Sequence, residues 1–420
     1  MNRNLFFVDS IFTPIEGENS VVSLLSAEEE GNEAALVLTL NSDQLRMYNH
    51  PGTIREGWYV NYEKGKQTPF GYGNLSSYAR ERFREYYQLR EQLSEKMINE
   101  ESVETIEFQS LSRPDGAQVI SYHVKVGHGN CSILLIKSAD NSHQIWMVDC
   151  SIIDKTDHWR DNSKHLVETF KAISSRLGKP ENEPLHIDRF FLTHAHHDHY
   201  NGIEYLVNNH HIDKRTVCYV NLYYQMACKS YLRALTALKN AKVKFVEPVT
   251  GNSITSIKFL HPICRLYRSE ATVKSASKDY RIVTNPVNDS SVVIMFSIAG
   301  RSMVFTGDLE QKGFKRMSED RTCSPYLFDS DYYVVSHHGS LNGHPDMDCR
   351  NPSRPKPTPL ICASNRLKKA ILMGRDNAYP GIYDARVTSH WNKTGGGLVV
   401  SENASHYVEL DWGSGSVSLH

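Results

Sequence analysis

The sequence predicts an α+β chain in which a β-rich N-terminal module and a connecting helix precede a larger, two-layered domain of strands and helices. Three observations carry this. Short apolar runs broken by Gly, Asn and Pro fill residues 1–73; residues 74–112 open with apolar side chains at a helical spacing; and from about Gln118 strands recur with helices between them. At 420 residues the chain is too long for one small core and suggests a large domain, residues 113–420, beside the smaller module.

In the N-terminal module the runs Val21–Leu25, Ala35–Leu40 and Gly57–Tyr62 read as strands, closing into a barrel if they wrap. Between Asn74 and Asn99, apolar residues fall at Ala79, Phe83, Tyr86, Leu93 and Met97, the period of one helix face. Arg80, Arg82, Arg84 and Arg90 interleave there with Glu81, Glu85 and Glu91, the pattern of a solvated face. In the large domain, strands are predicted near 118–126, 131–137, 144–148, 187–193, 216–221, 243–246, 254–260, 291–297, 302–306 and 331–335. Helices are predicted near 163–176, 225–240 and 309–318. Four prolines between Asn351 and Pro359 exclude regular helix and central strand, so this segment reads as an exposed loop.

Composition narrows the class. No apolar run approaches the ~20 residues that span a bilayer, and Leu5–Val8 lacks the flanks of a signal peptide, so a cytoplasmic protein with no membrane partner is expected. The eight cysteines, at 131, 150, 218, 228, 264, 323, 349 and 362, form no CxxC pair, which suits free thiols and disfavours a cysteine-based zinc site. A net charge of −1 gives no global pull on polyanions, leaving two local clusters. Arg350, Arg354, Lys356, Arg366, Lys368, Lys369 and Arg375 lie in a stretch without acids, and five cations between Arg265 and Arg281 meet only Glu270 and Asp279. Taken alone, each would be a solvated surface; their place beside the motifs below turns them toward phosphate.

The most specific feature is Thr193-His194-Ala195-His196-His197-Asp198-His199, set between the apolar strand Arg189–Thr193 and a helix opening at Asn201. In an extended turn residues i and i+2 project to one side, so His194 and His196 can chelate one cation while Asp198 and His199 reach a second. Two further strand ends offer ligands. Met303–Phe305 runs into Thr306-Gly307-Asp308, where a carboxylate can bridge two cations, and Asp331–Val335 runs into Ser336-His337-His338-Gly339-Ser340. A strand-end Asp or His alone is usually a turn residue; several in one chain point to one site.

In their order these motifs resemble the metallo-β-lactamase superfamily, and within it the hydrolase domain of ComEC-type competence proteins. The counterparts are Val126-Gly127-His128-Gly129-Asn130, Met147-Val148-Asp149, His194 through His199, Asn288-Asp289-Ser290-Ser291, Thr306-Gly307-Asp308 and His337 through Ser340, over roughly residues 118–411. The resemblance implies an αββα sandwich with metals at one sheet edge; the membrane channel of the ComEC-type proteins has no counterpart in this sequence. It implies His194 and His196 on one metal, Asp198 and His199 on the other, Asp308 between them, and His337 completing the second site. Asp149 would orient the ligand loop, with His338 and Ser340 as further site or substrate contacts. The family opening usually reads Gly-Gln-Gly-Asp, so Asn130 here replaces an acid, and His261 is the available candidate for a further ligand of the first metal.

The implied cofactors are two divalent ions, Zn2+ or Mn2+, which generate a nucleophile from water because Zn2+ lowers a bound water's pKa to about 7. Asp198, His337 and His338 are the candidate catalytic residues, and Asn130, Ser340, Arg354, Lys356 and Arg375 the candidate substrate contacts. A phosphodiesterase acting on DNA or RNA is the leading expectation. The alternatives are a small phosphodiester, another ester, or a non-catalytic regulator. The N-terminal module is a candidate site for a protein partner.

Overall fold

A computed structural model describes residues 4–14, 19–27, 35–97, 117–138, 140–222, 224, 226–248, 253–254, 264–268, 287–319, 330–345, 347–348, 351–355, 366–393 and 396–420. Strands β1 (Leu5–Phe12), β2 (Asn19–Ser26), β3 (Ala35–Asn41), β4 (Tyr59–Tyr62) and β5 (Phe70–Tyr72) pair antiparallel in the order β3-β2-β1-β4-β5. Among the described residues β3 and β5 do not pair with each other, so the sheet is open rather than a closed barrel. Alternation along β1 and β2 sends Val8, Val22 and Leu24 into the module's own core with Leu40, Val60 and Phe70. Leu5, Phe7 and Leu25, on the other face, join the core of the large domain.

Helix α1 (Ser77–Ser94) starts where the Ser76 hydroxyl accepts from the Ala79 amide at 3.1 Å, and it buries Ala79, Tyr86, Leu89 and Leu93. On its charged face Arg82 pairs with Glu85 at 2.5 Å.

The large domain opens with β6 (Gln118–Val124), β7 (Cys131–Lys137) and β8 (His143–Cys150), a small hairpin β9 (Ile153–Asp154) and β10 (Arg160–Asp161), and helix α2 (Ser163–Leu177). Next come β11 (Arg189–Phe191), α3 (His197–Tyr200), α4 (Ile203–Asn208), β12 (Val217–Tyr219), α5 (Lys229–Asn240) and β13 (Lys244–Val246). The second half carries β14 (Ser253–Ile254), β15 (Cys264–Arg268), β16 (Val292–Ile298), β17 (Arg301–Phe305), α6 (Gln311–Glu319) and β18 (Tyr332–Val334). After β19 (Met347–Asp348) and β20 (Asn351–Pro355) follow β21 (Lys369–Leu372), α7 (Ala385–Lys393) and β22 (Leu398–Val400); β23 (Tyr407–Asp411) and β24 (Val417–Leu419) then return to the first half.

These strands make two mixed sheets, ordered β13-β12-β11-β8-β7-β6-β23-β24 and β14-β15-β16-β17-β18-β21-β22. Leu134, Trp146, Phe191 and Tyr219 of the first pack on Phe296, Phe305, Tyr332 and Ile371 of the second. Such side chains contribute about 1.5–3 kcal/mol each when fully buried, so the face between the sheets is a major source of cohesion. On the outer faces, Ile133, Met147 and Phe190 meet Leu166, Ile173 and Leu235 of α2 and α5, while Val304, Tyr333 and Leu372 meet Phe314, Val387 and Trp391 of α6 and α7. The result is a helix–sheet–sheet–helix stack. In each sheet a parallel set, β8-β11-β12-β13 and β17-β18-β21-β22, runs its strand ends toward the segments that carry the His and Asp motifs.

Residues 351–355, read as irregular loop, form the second strand of the two-stranded β19–β20 ribbon. A two-stranded ribbon has only edge strands, where a missing amide donor is tolerated, and its register shift accommodates the prolines. Of the strand expected at 254–260, only its first residue is described. Cys131, Cys150, Cys218 and Cys228 are buried free thiols, and no helix among the described residues is long and apolar enough to cross a membrane.

Candidate metal centre

The turn after β11 is locked from below. Asp149, at the end of β8 with φ of 55°, is buried; its carboxylate accepts from the Thr193 amide and hydroxyl, each at 2.7 Å, and from His199 Nδ1 at 2.8 Å. The Asn130 amide donates to the Asp198 carbonyl at 3.1 Å, and the Asn201 side-chain oxygen accepts from Ile152 and Ile153 amides at 2.7 and 3.0 Å. These bonds fix a segment that has no regular structure of its own between Leu192 and His196.

The second sheet approaches this turn through a glycine. Gly307 has φ of 53°, and a Cβ there would lie 2.7 Å from the Thr193 side chain, so only glycine permits the approach that sets Asp308 against the ligand turn. After β18, His337 and His338 both take left-handed backbone, φ of 48° and 49°, before Gly339 at 75°. Non-glycine residues pay roughly 1–3 kcal/mol for such a conformation, and it persists here because Ser336 Oγ donates to the Gly307 and Leu309 carbonyls at 3.1 and 2.7 Å.

Asp198, His199, Asp308 and His338 thereby each bring one ligand atom to within 4.8 Å of the others. His199 Nε2 lies 3.4 Å from Asp308 Oδ1, and His338 Nε2 lies 3.4 Å from Asp198 Oδ2 and 3.5 Å from Asp308 Oδ2. Beside this quartet, His194 Nε2 and His196 Nδ1 converge at 3.1 Å, with His194 Nε2 3.9 Å from Asp308 Oδ2. Asp308 thus faces both groups. His337, expected in the second group, stands outside it: its Nε2 takes the Asn288 amide at 3.3 Å and lies 4.0 Å from Asp308 Oδ2, while Nδ1 is 3.6 Å from Glu310. His338 occupies the place expected for its neighbour.

These residues fit a divalent cation on two counts. His199 Nε2, His338 Nε2 and Asp308 Oδ1 are buried and have no hydrogen-bond partner among the described residues, an arrangement that is costly unless something else satisfies it. The second nitrogen of each ring is already held, His199 Nδ1 on Asp149, His338 Nδ1 on the Met373 carbonyl at 3.2 Å and His194 Nδ1 against the Thr193 hydroxyl at 3.1 Å, which turns each Nε2 toward the other groups of the cluster.

The carboxylates and imidazoles of this cluster shift one another's protonation. Burial would lower His338 and His199, but Asp308 with Asp198 raises His338 to about 9, and Asp308 with Asp149 holds His199 well above its usual range. Burial would likewise raise Asp308; His338, His199 and His337 hold it well below the usual carboxylate range. His337 goes the other way, pushed to about 4 chiefly by burial.

The other expected contacts have partners within the chain or lie outside the described residues. The Ser340 hydroxyl is buried and accepts from the Gly343 amide at 3.1 Å, closing the turn under the histidines. Arg375 meets Asp154 at 3.3 Å and Thr156 at 2.8 Å. Arg354 lies on β20, its side chain outside the description, and His261 and Lys356 lie outside the described residues. Unforeseen neighbours include His128, whose Nε2 lies 3.2 Å from Asp198, and buried Lys155, which bridges Asp9 at 2.6 Å and Asp198 at 3.5 Å. His128 stands in the glycine-rich opening motif, a signal that could have marked it. Lys155, Asp9 and Glu56, which reaches within 3.9 Å of His196, carry none.

No family model matches the chain, and no curated protein matches it. Among solved structures, the chain is similar to the crystal structure of Zn2+-bound PqqB from Methylobacterium extorquens at 11% identity and a TM-score of 0.38, over 69% of this chain and 99% of that one. A likeness of that depth transfers neither ligand nor activity.

Proposed function

We propose that this chain is a dinuclear metal-dependent hydrolase of the metallo-β-lactamase superfamily, with the motif set of the ComEC-type domains, and that it cleaves phosphodiesters in DNA or RNA. The observation that carries the hydrolase reading is the meeting, at one edge of two sheets, of His194 and His196 with Asp198, His199, Asp308 and His338. His194 and His196 would hold one cation, Asp198, His199 and His338 the other, and Asp308 would serve both. Two Zn2+ or Mn2+ ions would supply Lewis acidity and activation of water.

The protein's own part is positioning. Asp149, Thr193 and the Met373 carbonyl fix the rings, and Asp308 sets the spacing of the two groups. His337, whose pKa burial pushes to about 4 and whose Nε2 Asn288 holds, would be neutral at pH 7 and would offer Nδ1 to a substrate oxygen.

Preference for a polymer rests on the motif resemblance. The described cations of the acid-free run largely meet their own protein: Arg366 pairs with Asp331 at 3.1 Å, Lys369 with the Gly396 carbonyl, and Arg375 with Asp154. A second reading, a small phosphodiester, is favoured by the burial of every residue of the two groups. Single- and double-stranded DNA and RNA, together with a chromogenic bis-aryl phosphodiester, offered to Zn2+- and Mn2+-loaded protein beside His194→Ala, decide between them. Nucleic-acid cleavage with a steep loss at higher salt supports the polymer reading. Cleavage of the small ester alone removes it.

A further inference from the structure

We infer that the N-terminal module is part of the metal centre, with Glu56 as the carboxylate that positions His196. This rests on the reading of His194 and His196 as ligands of one cation. On that reading His194 Nε2 and His196 Nδ1, which hydrogen-bond each other at 3.1 Å, are the two atoms that would turn to the cation. His196 Nε2 then points away, buried and without a hydrogen-bond partner among the described residues. The carboxylate facing it is Glu56, with Oε1 at 3.9 Å.

A histidine that gives one ring nitrogen to a metal nearly always presents the other N–H to a carboxylate, a carbonyl or water, which fixes the tautomer and strengthens the ligand. His199, His338 and His194 have such a partner inside the large domain, in Asp149, the Met373 carbonyl and the Thr193 hydroxyl. For His196 the partner comes from the module that precedes the domain. Glu56 holds its place because Oε1 accepts from the Ile11 amide and Oε2 from the Val287 amide, each at 2.9 Å, pinning the carboxylate between β1 and the turn at Asn288.

Strand β1 makes a second connection. Its register on β2 shifts between Val8 and Ser10, a bulge that leaves Val8 and Asp9 buried in succession. The Asp9 carboxylate accepts from Lys155 Nζ at 2.6 Å and from the His197 amide at 3.3 Å, so it grips the ligand turn one residue beyond His196. Phe12, at the end of the same strand, packs edge-on against His337 with ring centroids 5.2 Å apart. A bulge, a pinned carboxylate and an aromatic contact, all from one module, converge on the proposed ligand turns.

If Glu56 only joined β1 to the Val287 turn, its loss would soften the fold and leave cation binding alone. Full-length protein, stripped with chelator, is titrated with Zn2+ as wild type and as Glu56→Gln, and the Co2+-loaded forms are compared by visible absorption. The inference expects two equivalents in the wild type, with one of the two bound about 10–100-fold more weakly in Glu56→Gln, the usual effect of losing such a partner, and an altered Co2+ spectrum. Unchanged affinity for both equivalents overturns it while leaving the hydrolase reading in place. Wild-type protein that binds no cation removes both. Should Glu56→Gln not fold, the 15N shifts of His196 in Zn2+-loaded wild type decide alone: metal on Nδ1 with a proton on Nε2 supports the inference, and metal on Nε2 overturns it.

Discussion

Among the described residues, two of the regions that bury histidine do so to opposite ends. His123, on β6, lies inside the stack with Nδ1 3.0 Å from the Ser132 hydroxyl and Nε2 3.1 Å from the Ser121 hydroxyl; both nitrogens are satisfied, and burial pushes its pKa down to about 3. His338 is as deeply buried, yet its Nε2 faces two carboxylates at 3.4 and 3.5 Å without a well-formed hydrogen bond, and against the pull of burial their charge raises its pKa to about 9. Burial alone is therefore uninformative about function. What separates a ligand from a core residue is an unsatisfied atom aimed at groups of the same kind on other strands.

The largest expected effect comes from removing the group both halves of the centre share. Asp308→Ala should cut turnover by a factor on the order of 10^3, comparable to losing a principal electrostatic contact in other active sites, and should lower metal content while far-UV circular dichroism stays native. Retained activity would take Asp308 out of the centre and leave the two histidine regions alike. The next effect sharpens the assignment between neighbours. His338→Ala should lose one of two zinc equivalents, whereas His337→Ala should keep both and lose activity by roughly 10–100-fold, the scale of an acid–base or hydrogen-bonding contact. Equal loss of metal in both variants would restore His337 to the ligand set.

The smallest effect is the most diagnostic of the comparison, because the two regions should respond to pH with opposite signs. His123 has a folded pKa, about 3, below its unfolded value of about 6.5, so its contribution to stability is present above that value and is lost as pH falls toward 3. His338 in the cation-free protein has a folded pKa, about 9, above the unfolded value, so its contribution is full below about 6.5 and is lost as pH rises through 9. A cation must displace that proton, so zinc affinity should climb with pH up to about 9, by roughly tenfold per unit if one proton leaves. Denaturant unfolding and zinc titration across this range, with His338→Ala as control, check both signs; a zinc affinity flat in pH would place His338 among the core histidines.

What was legible in the sequence follows from how far apart the cooperating residues lie. The His194–His199 turn was readable as a motif because its spacing is local, and the strand ends at Asp308 and His338 because glycine turns mark them. Which of His337 and His338 enters the quartet was not readable: both sit in left-handed backbone, and their aim depends on the bonds of Ser336 to the Gly307 and Leu309 carbonyls and on Asn288 and Met373, all distant in sequence. The layered stack followed from alternating strands and helices. The open N-terminal sheet and the β19–β20 ribbon did not, since edge pairing leaves no periodic trace. Glu56 and Asp9 were invisible because an isolated acid in a separate module gains meaning only once β1 is docked beside the ligand turn.

The central claim is that buried imidazoles and carboxylates from two sheets gather around a pair of divalent cations. Elemental analysis of chelator-stripped, zinc-reconstituted and gel-filtered full-length protein addresses it directly, with His194→Ala and Asp308→Ala alongside. Close to two zinc ions per wild-type chain, with fewer in each variant, is the expected outcome. A wild-type chain that retains no zinc, or variants that retain as much as the wild type, would contradict it.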